Sequence, residues 1–138
     1  MLMDTNGHTI LSEDYVSFET AKLLKEKGFD ELCIFKYNSE GVRMKAGVAI
    51  DEWQNSELDD DECSCPSQSM AMRWLREVHQ LHISIKPTWA LGDMREPCRW
   101  EYSIISLSTA IDYMYYVGEN TYEEAVEAAC LYSLKNLI

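Results

Sequence analysis

The segment MAMRWLREVHQLHISIKP changes its hydrophobic period part-way along, with no linker between the two patterns. Up to residue 79 the apolar residues follow helical spacing, and they are Ala71, Trp74, Leu75 and Val78. From residue 81 apolar and polar residues alternate, and the apolar set is Leu81, Ile83 and Ile85. The pattern predicts an amphipathic helix that runs directly into a half-buried strand, and Pro87 is predicted to end that strand.

The residues before this helix contain a proline and two candidate caps. We expect Ser64 or Cys65 to be the N-cap and Pro66 the first helical residue, because a proline there loses no hydrogen bond. Residues 88–99 are predicted to form a loop, since glycine and proline interrupt them.

Two further runs, WEYSIISL and AIDYMYYV, are rich in β-branched and aromatic residues, as half-buried strands are. The first run alternates Trp100, Tyr102 and Ile104 with polar residues. The second run is predicted to place Ile111, Tyr113 and Tyr115 on one face. Because only a short link separates the runs, they are predicted to form an antiparallel pair.

The segment TYEEAVEAACLYSLKNLI predicts the last helix, because Thr121 and Glu124 have the spacing of a capping box. Its predicted buried face consists of Val126, Ala129, Cys130, Ser133, Leu134 and Leu137.

The predicted order from residue 66 to residue 138 is helix, strand, strand, strand, helix. This order indicates an α+β fold, in which helices cover one face of a three-stranded antiparallel sheet. Before this core, Ser17 and Gly28 bracket a capped helix, and LCIFKYN and VRMKAGVAI flank a hairpin turn. Residues 1–138 are therefore predicted to be a single domain, with no regular structure in residues 1–15.

The net charge of the chain indicates which classes of partner it can bind. The chain of 138 residues has a net charge of −12, and a field of that sign repels phosphate backbones and anionic lipid surfaces. Nucleic acid and membranes are therefore improbable partners, whereas a basic protein surface is favoured. The first residues lack the basic region of a secretion signal, so a cytoplasmic location and five reduced cysteines are expected.

Much of the acidity lies in DEWQNSELDDDE, residues 51–62, where seven of twelve residues are acidic. No helical or strand period is visible, so this segment is predicted to be a solvated loop that includes Asp59, Asp60 and Asp61. As a functional alternative, the loop would be a decoy for basic or DNA-binding proteins.

The order of elements resembles the double-stranded-RNA-binding fold, but only in topology. That family holds phosphates with basic residues at the start of its last helix, where this chain has TYEEAVE. Separately, the phrases SFETAKLLKEKGF, MAMRWLREVH and TYEEAVEAACLYSLKNLI resemble a family of small uncharacterised acidic proteins from gut bacteria and their phages. This second resemblance implies an accessory or mobile-element role and carries over no site residue.

The sequence offers few reactive groups. Cys63, Cys65, His79 and His82 are weak candidate metal ligands, because C-x-C and H-x2-H are closer than the spacings of structural zinc sites. We therefore predict that they serve packing, and that the chain has no cofactor. Cys65, near a predicted helix N-terminus, is the one candidate for an activated thiol. No catalytic constellation accompanies it, so the chain is predicted not to be an enzyme.

Aromatic residues crowd the last two predicted strands, and this cluster is Trp100, Tyr102, Tyr113, Tyr115 and Tyr116. Cross-strand packing is one interpretation, and a binding face is another, since Tyr and Trp dominate protein interfaces. The preferred hypothesis is a non-enzymatic module that binds a protein, or its own copy, through this cluster and Asp59, Asp60 and Asp61. The alternative is an acidic mimic of nucleic acid that inhibits a DNA-binding protein. An enzyme of unrecognised type is the third hypothesis.

Overall fold

A computed structural model of the chain describes residues 2–3, 9–10, 14–47, 52–89 and 97–138. The helices are α1 (Phe18–Glu26), α2 (Gln68–His79) and α3 (Tyr122–Asn136), with one 3₁₀ turn at Asn55–Glu57. The strands are β1 (Leu2–Met3), β2 (Thr9–Ile10), β3 (Phe35–Tyr37), β4 (Arg43–Lys45), β5 (Cys63–Ser64), β6 (Leu81–Thr88), β7 (Arg99–Ser106) and β8 (Asp112–Glu119).

The predicted α+β fold is confirmed. Strands β6, β7 and β8 form an antiparallel sheet in that order, and α2 and α3 pack on one of its faces. Ile83, Tyr102 and Ile104 point into this interface and are buried. The turn from α2 into β6 is tight because Gln80 adopts a left-handed conformation and its N–H donates to the carbonyl of Leu75.

A second layer lies on the far side of α3. Helix α1 packs against α3 and β5, and β5 joins β3 and β4 in a small antiparallel sheet. Val16, Ala21 and Leu24 are fully buried in the same core as Val126 and Leu134 of α3. Helix α3 is therefore covered on two sides, by the β6–β8 sheet and by α1.

The caps of α1 and α3 follow the predicted pattern. The Ser17 hydroxyl accepts a hydrogen bond from the N–H of Thr20, and Gly28 follows α1 with a left-handed φ of +100°. The Thr121 hydroxyl accepts from the N–H of Glu124 in the same way. Short-range capping chemistry therefore fixes these helix starts.

The predicted start of α2 is wrong. Ser67 is the N-cap, since its hydroxyl accepts from the N–H of Met70, and neither Ser64 nor Cys65 caps the helix. Those two residues are held in an extended conformation by β3, because Ser64 pairs with Lys36 and the N–H of Cys65 donates to the carbonyl of Phe35. Pro66 precedes the helix instead of opening it.

Two details of the α2–β6 prediction are also wrong. Val78 is 57% exposed, whereas the neighbouring His79 packs its ring edge-to-face with Trp74. Pro87 does not end β6, which continues to Thr88 with Pro87 opposite Trp100. A proline is tolerated there because β6 is an edge strand, paired among the described residues with β7 alone.

The acidic segment is more ordered than predicted. Trp53 and Cys33 exchange two backbone hydrogen bonds of 2.7 Å, and Asn55 is buried. Asp59, Asp60 and Asp61 are exposed, as expected of solvated carboxylates. The segment is thus a surface turn on an anchored base.

Other predictions fall partly outside the described residues. The hairpin of β3 and β4 is confirmed, but residues 48–50 of its predicted second strand lie outside the described residues. Residues 90–96 of the predicted loop lie outside the described residues as well. The prediction of no regular structure in residues 1–15 is wrong for β1 and β2, which pair with each other. None of the described helices has the length and apolar character needed to cross a membrane.

Candidate functional site

The face of the β6–β8 sheet opposite α2 and α3 is polar, and we call it the outer face. Strand register assigns to it His82, Ser84, Lys86, Thr88, Arg99, Glu101, Ser103, Ile105, Asp112 and Tyr115. No described helix packs on this face. Its side chains form a shallow depression of about 390 Å³ around Glu101 and Tyr115.

Three side chains connect the three strands across this depression. The Tyr115 hydroxyl on β8 donates a hydrogen bond of 2.7 Å to the carboxylate of Glu101 on β7. The other carboxylate oxygen of Glu101 lies 3.2 Å from the Lys86 ammonium on β6. Glu101 is only 5% exposed, so its charge is buried between two partners and its position is fixed.

Tyr115 itself remains open to solvent. It is 63% exposed, the largest exposed fraction among the large hydrophobic side chains of the described residues. Its hydrogen bond to Glu101 raises the pKa of the phenol, so the hydroxyl keeps its proton and acts as a donor. The ring is therefore exposed and oriented at the same time.

The predicted aromatic cluster is divided between the two faces of the sheet. Trp100 packs edge-on against Tyr122 of α3, and Tyr102 is 5% exposed, with its ring tilted by 35° to that of Tyr116. These three strand residues, Trp100, Tyr102 and Tyr116, belong to the helix-covered side, although Tyr116 is partly exposed. Only Tyr115 is placed by the register on the outer face.

Two β-bulges in β8 explain this division. The pairing steps from Ile104–Met114 to Ile105–Asp112, so Tyr113 is an extra residue without an opposite partner. At the second bulge the pairing goes from Trp100–Glu119 to Glu101–Val117, so Gly118 is the extra residue, with a positive φ of +143°. Strict alternation, which would place Tyr113 and Tyr115 on one face, is therefore interrupted.

The acidic turn lies on a different side of the molecule. The Lys25 ammonium donates to the carbonyl of Asp59 at 2.6 Å and to that of Glu62 at 2.7 Å, which ties the turn to α1. Helix α1 packs on α3, and α3 packs on the inner face of the sheet. Asp59, Asp60 and Asp61 therefore do not share a surface with Tyr115.

The four candidate metal ligands lie at three separate places. Cys63 on β5 and Cys65 directly after it are buried, His79 packs against Trp74 at the end of α2, and His82 is on the outer face of β6. Among the described residues, no three His, Cys, Asp or Glu side chains are grouped so that they could hold a metal ion.

The candidate thiol of Cys65 is in the wrong environment for a nucleophile. It is fully buried, and its Sγ contacts the carbonyl of Val16 at 3.6 Å. Burial raises the pKa of this thiol and raises the pKa of Cys33 to about 12 and that of Cys63 to about 11. A catalytic thiol needs a lowered pKa, so the environment of these three favours packing over reactivity.

Comparison with known proteins gives one result. No protein-family model, curated protein or solved structure matches this chain. The resemblances to the double-stranded-RNA-binding fold and to small acidic phage-related proteins remain predictions.

Sequence reasoning missed Lys86 and Glu101 as site residues. A usable signal was present, because Glu101 alternates with the apolar residues of its strand and therefore points away from the helices. What the sequence lacks is the register. It places Lys86 opposite Glu101, and Tyr115 opposite Ser103, two residues further along β7.

Proposed function

We propose that the chain is a non-enzymatic protein-binding module, and that the outer face is its docking surface. The observation that carries this proposal is the exposed Tyr115 ring, oriented by the buried carboxylate of Glu101. A tyrosine that is already fixed loses little side-chain freedom on binding, and tyrosine is among the residues that contribute most to protein interfaces.

The charge distribution supports a protein partner over nucleic acid. On the outer face Lys86 is paired with Glu101. Arg99, which the register also places on this face, donates a hydrogen bond to Asn120. The start of α3 exposes Glu123 and Glu124, where a phosphate-binding helix would carry basic residues. The net charge of −12 opposes phosphate binding as well.

The test is affinity capture from cells of the source organism, with identification of the captured proteins by mass spectrometry. We expect Tyr115→Ala to reduce recovery of the partner by at least tenfold, because removing a central interface tyrosine costs about 2 kcal/mol or more. Leu107→Ser is the control, since Leu107 is 51% exposed on the β7–β8 turn but is not among the residues of the outer face. Equal recovery with Tyr115→Ala and wild type would exclude the outer face as the docking surface.

The native mass of the purified protein separates the two kinds of partner. A dimer that dissociates in Tyr115→Ala would identify a second copy of this chain as the partner. A monomer in both forms would leave a different protein as the partner.

A second candidate function is the mimicry of nucleic acid by the acidic turn. It is favoured by the two hydrogen bonds from Lys25, because a mimic needs carboxylates on a fixed base. The same capture experiment tests it with the triple variant Asp59→Asn, Asp60→Asn, Asp61→Asn. Loss of a DNA-binding protein in the triple variant, with its retention in Tyr115→Ala, would support mimicry and contradict docking through the outer face.

A further inference from the structure

An open groove of about 500 Å³ lies between α2 and the edge of β6 that pairs with no described strand. We call it the α2–β6 groove. Its apolar lining includes Met72, Ile83, Ile85 and Tyr122, and its charged lining consists of Arg73 and Arg76. None of the described residues that line it is acidic, although the chain has a net charge of −12.

The free edge of β6 presents backbone groups beside this groove. The Leu107 N–H donates to the carbonyl of Gln80, whereas the N–H of Ser106, opposite Leu81, donates to Ile111 on the other side of β7. Antiparallel pairs alternate between hydrogen-bonded and non-bonded, and this register is unbroken from Leu81 to Thr88. The N–H and C=O groups of residues 81, 83 and 85 therefore point away from β7.

Pro87 agrees with this assignment. Pro87 is two residues after Ile85, so its backbone nitrogen also faces the edge of β6 that is away from β7. The proline therefore removes no hydrogen bond to β7. Among the described residues β7 is the only strand that pairs with β6, so the edge groups between residues 81 and 85 have no strand partner there.

The two arginines give the groove its chemical preference. Arg73 lies 3.4 Å from Glu31 and is half exposed, so one partner already engages part of its guanidinium. The side chain of Arg76 makes no hydrogen bond or ion pair with any described residue. A guanidinium presents several N–H donors in a plane, which suits the two oxygens of a carboxylate.

We propose that the α2–β6 groove binds an extended acidic peptide segment of a partner protein, which adds as a strand to the edge of β6. The peptide backbone pairs with residues 81–85, its apolar side chains contact Met72 and Tyr122, and its carboxylates face Arg76 and Arg73. Strand addition beside a helix uses main-chain bonds for affinity and side-chain contacts for selectivity. This site is independent of the outer face, because the groove and Tyr115 lie on opposite sides of the sheet.

Because the net charge of the chain is negative, an acidic peptide is expected to bind only where basic side chains are close to it. The overall negative field disfavours anions over most of the surface, but at physiological salt it is screened within about 8 Å. An acidic peptide is therefore held by the local arginines or not at all. Changing Arg76 alone should have a large effect for that reason.

The experiment measures binding of a fluorescein-labelled pool of eight-residue peptides, with Asp or Glu at alternate positions and varied apolar residues between them. The comparison pool has Lys at the same positions. Fluorescence polarisation of the full chain is expected to give binding of the acidic pool only, weakened at least tenfold by Arg76→Glu. Arg99→Glu is the matched control, since Arg99 is an exposed arginine on β7 outside the groove, and Tyr115→Ala is the control for the outer face. Both should bind the acidic pool as wild type does.

Strand addition has its own readout. The best-binding member of the pool is resynthesised with N-methylated amides at alternate residues, once in each of the two registers. One of the two should lose binding, and the amide protons of Ile83 and Ile85 should become protected from exchange when the unmodified peptide binds. Absence of acidic-pool binding, binding unchanged by Arg76→Glu, or equal binding of both methylated peptides would each overturn the proposal.

Discussion

At the scale of single residues, Asn55 links the acidic segment to the core. Its Nδ2 donates to the carbonyl of Phe29 at 2.7 Å, and its Oδ1 accepts from the N–H of Ser64 at 2.8 Å. One buried amide therefore satisfies two backbone groups that are 35 residues apart in sequence. The base of the acidic turn is held by this residue.

We predict that Asn55→Ala lowers the free energy of unfolding by about 2–4 kcal/mol, because it leaves two buried backbone groups without partners. Urea unfolding followed by tryptophan fluorescence measures the change. Asn136→Ala is the control and should change stability by less than about 0.5 kcal/mol, since Asn136 is exposed near the end of α3. If Asn55→Ala changed stability as little as the control does, Asn55 would not hold the acidic turn to the core.

The buried thiols predict a loss of stability in alkali. Burial raises the pKa of Cys33 to about 12 and that of Cys63 to about 11, above the value of about 8.5 for an unfolded thiol. The unfolded state therefore releases these protons first. Their contribution to stability is full below about pH 8.5 and declines as the pH rises toward 11–12.

The measurement is the urea midpoint of the reduced protein at pH 7.5, 9 and 10, compared with that of a Cys33→Ala, Cys63→Ala variant. The midpoint of wild type should fall more steeply with pH than that of the variant, because tyrosine and lysine titration is common to both. Parallel curves would mean that these thiols do not titrate differently on unfolding.

Residue-scale prediction from sequence succeeded where the cause is local. Ser17 and Thr121 could be identified as caps because their partners lie three residues away. Asn55 could not, because an amide among acidic residues shows nothing of the distant backbone groups that it serves. Tyr113 was misplaced for a similar reason, since a bulge depends on the partner strand.

At the scale of elements, the docking of α1 on α3 depends on Glu127. Its carboxylate accepts from the Thr20 hydroxyl at 2.5 Å and from the N–H of Ser17 at 3.2 Å. A residue of α3 thus places a negative charge at the N-terminus of α1, where the helix dipole is positive. The ion pair between Lys135 and Glu19 joins the same two helices.

We predict that Glu127→Ala lowers the free energy of unfolding by about 1.5–3 kcal/mol, the usual worth of hydrogen bonds to a charged group. Thermal unfolding followed by circular dichroism measures the effect. Glu26→Ala should be nearly neutral, because Glu26 is an exposed carboxylate in the last turn of α1. If the two variants lose the same stability, the charge of Glu127 does not contribute to docking.

Elements are predictable from the sequence where they have a hydrophobic period of their own. Helices α1 and α3 show helical spacing, and the strands of the β6–β8 sheet show alternation. Strand β5 has two residues and no period of its own, and its pairing with β3 spans a long stretch of chain. Its residues were therefore interpreted as the start of α2, and the cap was placed too early.

At the scale of the whole molecule, the two layers share one core. Buried residues of α1, β5, α2, the β6–β8 sheet and α3 belong to a single cluster. Helix α3 cannot bury both of its covered sides without α1. Without α1, the α-β-β-β-α unit of residues 66–138 leaves one apolar side of α3 uncovered.

We predict that a fragment of residues 66–138 does not fold alone, whereas the full chain unfolds in one cooperative transition. Dispersion of the amide spectrum and far-UV circular dichroism measure folding of the fragment, with the full chain in the same buffer as the control. A dispersed, native-like spectrum of the fragment would show that α1 and β3–β5 are dispensable.

The same arrangement has a consequence for biosynthesis. Helix α3 follows every other described helix and strand in the chain, yet α1 and the β6–β8 sheet both pack against it. While the ribosome is still translating α3, the apolar surfaces of α1 and of the β6–β8 sheet that α3 will cover are still exposed. A nascent chain of this protein should therefore be a substrate for holding chaperones until α3 has left the exit tunnel.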